Sequence, residues 1–541
     1  MSMHPWWRGA IIYQIYPRSF HDANNDGIGD LKGICDKLDY VASLGVDAIW
    51  VSPFFTSPMR DFGYDIADYR NVDPIFGTID DFDELIRQAH ARGLKVMIDQ
   101  VLSHTSDQHA WFQESRQSRD NPKADWYVWA DPKEDGSEPT NWVAVFGGSA
   151  WQFDETRGQY YMHNFLTSQP DLNYHSKSLR AAMLEEVRFW LDKGVDGFRF
   201  DAINYCFHDQ QLRDNPFKPV EERKGRGFSE NNPYAAQYHL YDNNQPEMLA
   251  FLQELRQVLD EYDDIGTVGE INTEDSLKSI SEYTSEQRLH LGYSFELLAD
   301  EGSTDHIRTT VSALEAHLKD GAMGCWAISN HDVKRVVSRW GRNGANPPLA
   351  KMLTVMVASL RGTICTYQGE ELGLTEAEIA FDQLQDPFGI QFWPEFKGRD
   401  GCRTPMPWSA ETPNGAFSET TPWLPIPEEH YPMAVDRQEA DPNSVLNNYR
   451  HFIKWRKTQL ALRYGDLAFV YSDEHVLGFT RSYQGQTLLC LFNFSGESQN
   501  IAMNLALTPV SDLKQPEFEL RDNEIALAPY AFFFAVMKTA S

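Results

Sequence analysis

Several positions in this chain carry chargeable side chains where a strand ends. In Gly197-Phe198-Arg199-Phe200-Asp201-Ala202-Ile203-Asn204, apolar and charged residues alternate as in a strand. Arg199 and Asp201 are two apart, so both point to one face. An arginine beside an aspartate at the end of a buried strand is costly without a partner or a task. Asp99 ends Leu94-Lys95-Val96-Met97-Ile98-Asp99, with His104 just beyond. Glu270 ends Ile265-Gly266-Thr267-Val268-Gly269-Glu270, and Asn330-His331-Asp332 follow another apolar run. Two carboxylates, one ionised to attack and one protonated to donate, are what cleavage of a glycosidic bond needs. That is the chemistry these residue types suggest.

The elements that must position them recur as strand, helix, strand. Strands are predicted at 10–16, 47–51, 94–99, 195–201, 265–270, 291–295, 325–329 and 363–367. Helices fit 30–44, 80–91, 178–192, 246–260, 304–318, 349–360 and 447–462, several closed by glycine. This is the rhythm of an α/β protein of the (β/α)₈ barrel type, whose chemistry gathers at the C-terminal ends of its strands. Asp99, Asp201 and Glu270 lie at those ends. Residues 105–173 break the rhythm with Trp, Asp, Pro and Gly, and read as a small domain inserted after the third strand. Residues 1–104 and 174–465 then form the barrel, with a loop subdomain at about 375–443 after the eighth strand. Short alternating runs over 466–541 predict a C-terminal antiparallel β-sandwich.

Composition narrows the partners. The chain has 541 residues, 42% hydrophobic and 13% aromatic, which is enough for a large filled core. Its net charge of −31 disfavours nucleic acid and anionic membranes, and a neutral substrate tolerates it. The six cysteines are scattered without a CxxC pair and read as reduced. The N-terminus lacks a secretory pattern and no run approaches a membrane span. A cytoplasmic enzyme, monomer or homodimer, is the simplest expectation.

At these residues the chain resembles the α-amylase superfamily, glycoside hydrolase family 13, and most of all its bacterial α-glucosidase and oligo-1,6-glucosidase branch. Four stretches carry the resemblance: Asp99-Gln100-Val101-Leu102-Ser103-His104, Gly197 to Asn204, the run ending at Glu270, and Ser329-Asn330-His331-Asp332. Gln169-Pro170-Asp171-Leu172-Asn173 resembles an accessory motif of the oligo-1,6-glucosidase side. The resemblance implies Asp201 as nucleophile, Glu270 as general acid/base and Asp332 as transition-state stabiliser. It implies substrate contacts at Asp61, Tyr64, His104, Arg199 and His331. Arg399 matches the arginine that helps close the pocket, with Arg403 nearby. On this reading Arg199 lowers the pKa of Asp201, and Glu270 sits less compensated with a raised pKa.

Asp22-Ala23-Asn24-Asn25-Asp26-Gly27-Ile28-Gly29-Asp30 spaces oxygen ligands at alternate positions with glycine at the sixth, as in the first part of an EF-hand loop. The bidentate glutamate at position twelve is absent. The resemblance implies one Ca²⁺, or Mg²⁺, held by Asp22, Asn24, Asp26, Asp30 and the Ile28 carbonyl. Within the branch, α-1,6-cutting enzymes tend to carry Val after the nucleophile and maltase-like ones Ala or Thr. Ala202 therefore points to α-1,4 glucosides such as maltose. The loop 224–239 is expected to shape the next subsite, and transglucosylation is an expected side activity. An oligo-1,6-glucosidase and a sucrose isomerase or trehalulose-forming enzyme share the same triad. A non-catalytic transporter-associated relative would have a membrane anchor and would have lost triad residues.

Overall fold

The computed structural model describes residues 4–223, 232–285, 287–319, 322–341, 346–521 and 524–537. Its centre is a parallel sheet of β1 (Ile11–Ile15), β2 (Ala48–Val51), β3 (Lys95–Val101), β4 (Gly197–Asp201), β5 (Gly266–Glu270), β6 (Leu291–Tyr293), β7 (Cys325–Trp326) and β8 (Thr363–Tyr367). The hydrogen-bonded order is β6-β5-β4-β3-β2-β1-β8-β7. β6 and β7 also lie against each other, so the sheet curls into a barrel.

Side-chain parity sorts the barrel into layers. Ile11, Tyr13 and Ile15 of β1, with Phe198 and Phe200 of β4, pack outward against the helices. Ile12, Trp50, Met97, Val268 and Cys365 fill the interior. Arg199 and Asp201 share the parity opposite to the two phenylalanines, which sends them inward. Gly197, on the same parity, lies so close to the Gly266 carbonyl that a Cβ would run into it. Only glycine lets β4 and β5 approach there.

Helices Ile79–Ala91, Lys177–Asp192, Met248–Leu259, Thr304–His317, Pro347–Ser359 and Val445–Thr458 surround the sheet. Ile79–Ala91 begins with a capping box between Thr78 and Asp81. Two expected helices are each divided. The first becomes Leu31–Asp36 and Leu38–Ser43, with Lys37 at φ −106°, ψ 6°. The last breaks at Gln459, at φ −98° and ψ 92°, into Val445–Thr458 and Leu460–Tyr464. β7 is shorter than expected. Beyond it, the Asn330 side chain accepts the amides of Asp332 (2.9 Å) and Val333 (3.2 Å), which turns the chain out of the strand.

Between β3 and β4 lie a short helix, Ala110–Ser115, and an antiparallel sheet with Gln159–Met162 between Trp129–Ala130 and Trp151–Asp154. Trp142, Trp151 and Met162 form its own small core. After β8, residues 375–443 fold into short helical turns over the barrel mouth. The C-terminal region has a five-stranded antiparallel sheet and a three-stranded one. Leu489, Leu491 and Phe533 pack toward Ile501, Ile525 and Leu527 of the smaller sheet. Leu488, Cys490 and Phe534, of opposite parity, join the main core. No helix among the described residues is long and apolar enough to cross a membrane. All six cysteines are free.

Candidate active site

Strand register builds the centre of the site. Asp99 and Arg199 are direct partners on the β3–β4 ladder, and Glu270 and Tyr293 are partners on β5–β6. Arg199 is 1% exposed and shares its guanidinium among three carboxylates. Nη1 donates to Asp99 (2.9 Å) and to Asp201 (2.6 Å). Nη2 touches Glu270 and donates to the Tyr293 hydroxyl at 3.1 Å. Trp50 lies under the guanidinium, 4.9 Å from ring centre to Cζ, and its indole N–H donates to Asp99 at 3.0 Å. These donors answer carboxylate charges that burial would otherwise leave uncompensated in a low dielectric.

The electrostatics correct one sequence expectation. Arg199 does pull the Asp201 pKa down, but burial outweighs it, and Asp99 and Asp332 add repulsion. Asp201 is pushed up to about 7. One guanidinium shared by three acids cannot hold all of them fully ionised. Glu270, expected to stand apart from compensating charge, instead rests against the same Arg199.

His331 and Asp332 come from the turn after β7. The Gln14 amide lies 2.8 Å from His331 Nδ1, which has to accept its proton, so the imidazole carries its own hydrogen on Nε2. Nε2 faces the Tyr64 hydroxyl (2.7 Å) and Asp332 (3.3 Å). The Tyr64 hydroxyl in turn donates to Asp99 at 3.1 Å. Burial lowers His331 to about 3 and His104 to about 4, so both rings are neutral at ordinary pH. Burial would raise Asp332, yet His331, Arg399 and Arg403 hold it well below the usual carboxylate range.

The outer wall comes from distant segments. Asp61 is buried and bonds Arg399 Nη2 at 2.9 Å. Asp386 holds the same guanidinium through Nε (3.1 Å) and Nη2 (2.8 Å). The two nearby arginines divide their tasks. Arg399 lines the cavity and reaches Asp332 at 3.4 Å. Arg403 donates to the His331 carbonyl at 2.7 Å and to Asp332 at 3.0 Å from behind.

All nine expected catalytic and substrate-binding residues are therefore gathered at one end of the barrel. Eight of them line one cavity, and Arg199 lies beneath it. Several contacts were not legible in the sequence. Gln169 donates to Asp61 at 3.0 Å, which gives its motif a physical task. Phe146, Phe165, Tyr205, Phe295 and Phe388 supply aromatic lining. Ala202 also lines the cavity, in a left-handed conformation with φ 41° and ψ 42°. Of the loop expected to shape the next subsite, 224–231 lie outside the described residues. Asn232 caps the turn Pro233–Ala236 that follows.

The Asp22–Asp30 loop forms a ladder of turns. Asp22 accepts the amides of Asn25 and Gly27 (2.7 Å each), Asn24 that of Asp26 (2.9 Å), and Asp26 that of Ile28 (2.9 Å). Asp30 accepts Ala23 (3.1 Å), Asn24 (3.2 Å) and Gly33 (2.7 Å). Among the described residues, no three His, Cys, Asp or Glu side chains are gathered around a common metal position. The donor set is nonetheless all oxygen, with three carboxylates and one amide, which suits a hard cation. An oxygen that accepts one amide keeps a second lone pair.

Comparison with known proteins agrees with this architecture. Residues 14–465 match the α-amylase catalytic domain, and 467–534 match the maltogenic amylase C-terminal domain. The chain belongs to the α-amylase family and is a glycoside hydrolase. It is 54% identical over 535 residues to a probable α-glucosidase of Rhizobium meliloti, covering 98% of this chain and 97% of that one. It is 39% identical to an oligo-1,6-glucosidase of Heyndrickxia coagulans, covering 91% and 93%. Among solved structures, an α-glucosyl transfer enzyme superposes with a TM-score of 0.97 at 57% identity, covering 99% of this chain and all of that one. The trehalulose synthase of Pseudomonas mesoacidophila gives 0.89 at 32% identity, covering 99% and 100%.

Proposed function

We propose that the chain is a retaining, exo-acting α-glucosidase that removes terminal glucose from small α-1,4-linked oligosaccharides. The observation that carries this is the attachment of Asp201 and Glu270 to the two ends of one guanidinium. That spacing favours the roughly 5–5.5 Å carboxylate separation of retaining enzymes over the wider gap of inverting ones.

In the first step an Asp201 oxygen bonds to the anomeric carbon as the glycosidic bond breaks. Glu270 gives its proton to the leaving oxygen, which departs as the shortened sugar. In the second step the Glu270 carboxylate takes a proton from water, and that water's oxygen displaces Asp201 from the anomeric carbon. Glucose leaves with its original configuration, and both carboxyl groups return to their starting protonation. A sugar or alcohol in place of water gives transglucosylation, in keeping with the α-glucosyl transfer activity named for the 57% identical structure. Asp332, His104 and His331 hold sugar hydroxyls, a grip that tightens as the ring flattens. Arg399 and Asp61 wall off the far end, which supports release of one glucose at a time.

The small Ala202 side chain supports the α-1,4 preference. The trehalulose synthase likeness at 32% identity favours sucrose isomerisation as a second reading. Incubation with maltose, isomaltose, sucrose and trehalose separates the two. Glucose released fastest from maltose is the expected result. A product of rearranged sucrose as the main outcome would overturn it. We also propose that the Asp22–Asp30 loop holds one Ca²⁺ as a structural ion, away from the reacting carboxylates.

A further inference from the structure

A cavity of about 1010 Å³ opens between the barrel's outer helices and the C-terminal domain. Its walls are the start of Pro347–Ser359, the outer face of Val445–Thr458, and loops 513–516 and 529–530. Domain boundaries are favoured places for small-molecule sites. The catalytic residues are elsewhere, at the barrel mouth.

Charge sets this cleft apart. The whole chain carries −31, yet the cleft is lined by Lys351, Arg450, Lys454, Lys457 and Lys514 against the single acid Glu439. Two of these cations are already matched: Arg450 bonds Glu439 at 2.7 Å, and Lys457 bonds Asp47 at 3.0 Å. Lys351 and Lys514 instead converge on one neutral residue. Lys351 Nζ donates to the Asn443 carbonyl, and Lys514 Nζ donates to the Asn443 side-chain oxygen at 2.5 Å. Burial, with Lys514 adding to it, holds Lys351 below the usual ammonium range, while nearby Asp441 pulls the other way. Two ammonium groups on one residue repel each other, and an anion between them turns that repulsion into attraction. Lys454 adds a third positive charge from the exposed side of its helix, with His451 beside it.

Asn447, Asn448 and Gln515 add neutral polar groups to the lining, and Leu513, Pro442, Pro516, Pro529 and Tyr530 give it an apolar surface. Such a surface suits the body of a sugar ring, and lysines bind phosphate as point charges. A large polyanion would meet the field of the acidic surface before reaching the cleft, whereas a small one is spared most of it.

We propose that this cleft binds a sugar phosphate monoester, with the phosphate held by Lys351, Lys454 and Lys514 and the ring laid against Tyr530. The ligand bridges the barrel and the C-terminal domain, so it stabilises the folded chain by mass action. Calorimetry and thermal melting of the full-length protein with glucose 6-phosphate, inorganic phosphate and glucose, at constant ionic strength, test it. Glucose 6-phosphate is expected to bind one per chain, raise Tm, and bind about tenfold more tightly than inorganic phosphate, the ring contacts supplying that factor. Lys351→Gln/Lys514→Gln is expected to weaken it at least about tenfold while maltose turnover stays unchanged. Lys454→Gln, at an exposed position, gives a smaller loss and serves if the double variant does not fold. Absence of saturable binding, affinity unaltered in these variants, or inorganic phosphate binding as tightly would overturn the proposal.

Discussion

Asp99 faces Arg199 across the β3–β4 ladder, and the 2.9 Å bond between them anchors the guanidinium that Asp201 and Glu270 also reach. The pair is a fixed post. Neither residue moves without disturbing a barrel strand. The two carboxylates proposed to react, Asp201 and Glu270, are therefore arranged around a charge that does not change.

Replacing Asp201 with asparagine keeps the side chain's shape and removes its nucleophilic charge. Turnover of maltose is expected to fall on the order of 10⁴-fold or more, with the melting temperature little altered. A variant retaining half its activity would remove Asp201 from the proposed role.

Asp99 has an electrostatic consequence for Asp201. Burial, then repulsion from Asp99 and Asp332 against the pull of Arg199, leaves Asp201 at about 7. A carboxyl group with that value is increasingly protonated, and so inactive as a nucleophile, as pH falls below neutrality. The acid limb of kcat/KM in the free enzyme is expected near pH 7. In Asp99→Asn one repelling charge is gone and Arg199 is freer to serve Asp201. The limb is expected to move down by about one unit. A pH profile that does not move would show that another group sets the limb.

Glu370 is buried in the turn just after β8. Burial, with Glu371 adding to it, raises it to about 8 from an ordinary value of 4.5. Between those values the folded state binds more protons than the unfolded one. Its contribution to stability is therefore full at low pH and is lost as pH rises through 4.5 toward about 8. Glu370→Gln cannot ionise. Relative to wild type, its Tm is expected to gain steadily between about pH 5 and about pH 8, as melting curves across that window would show. A constant difference would mean that Glu370 does not titrate there.

The proposed Ca²⁺ loop is docked on the region after β8. Asn25 accepts the Glu419 amide at 3.1 Å, and the Gly27 carbonyl accepts the Trp423 amide at 2.9 Å. Loss of the ion is expected to loosen both. Chelation should lower Tm by several degrees, with recovery on adding Ca²⁺ and much less change in Asp26→Asn. An unchanged melting curve in excess chelator would rule out a structural ion.

Much of the barrel and its charged rim was legible because strand parity and strand ends are written locally. Phe198-Arg199-Phe200-Asp201 alternates visibly, and charge at a strand end stands out. The breaks at Lys37 and Gln459 were not, because packing rather than helical periodicity decides them. Tyr293, Phe388 and the bond of Gln169 to Asp61 escaped for a related reason. Their aim depends on loops and ladder partners far away in the chain. The direction of the Asp201 shift was misread because its neighbour Arg199 is visible in sequence and the depth of burial is not.

The bond between Asp61 and Arg399 joins positions 338 residues apart. During synthesis, the first barrel strands emerge long before that arginine exists. A chain stopped before residue 399 lacks one side of its pocket, however much of the barrel has formed. Since domains tend to fold as they leave the ribosome, the pocket is among the last features completed. In this design the wall formed by Asp61 and Arg399 closes only after nearly three-quarters of the protein has been made.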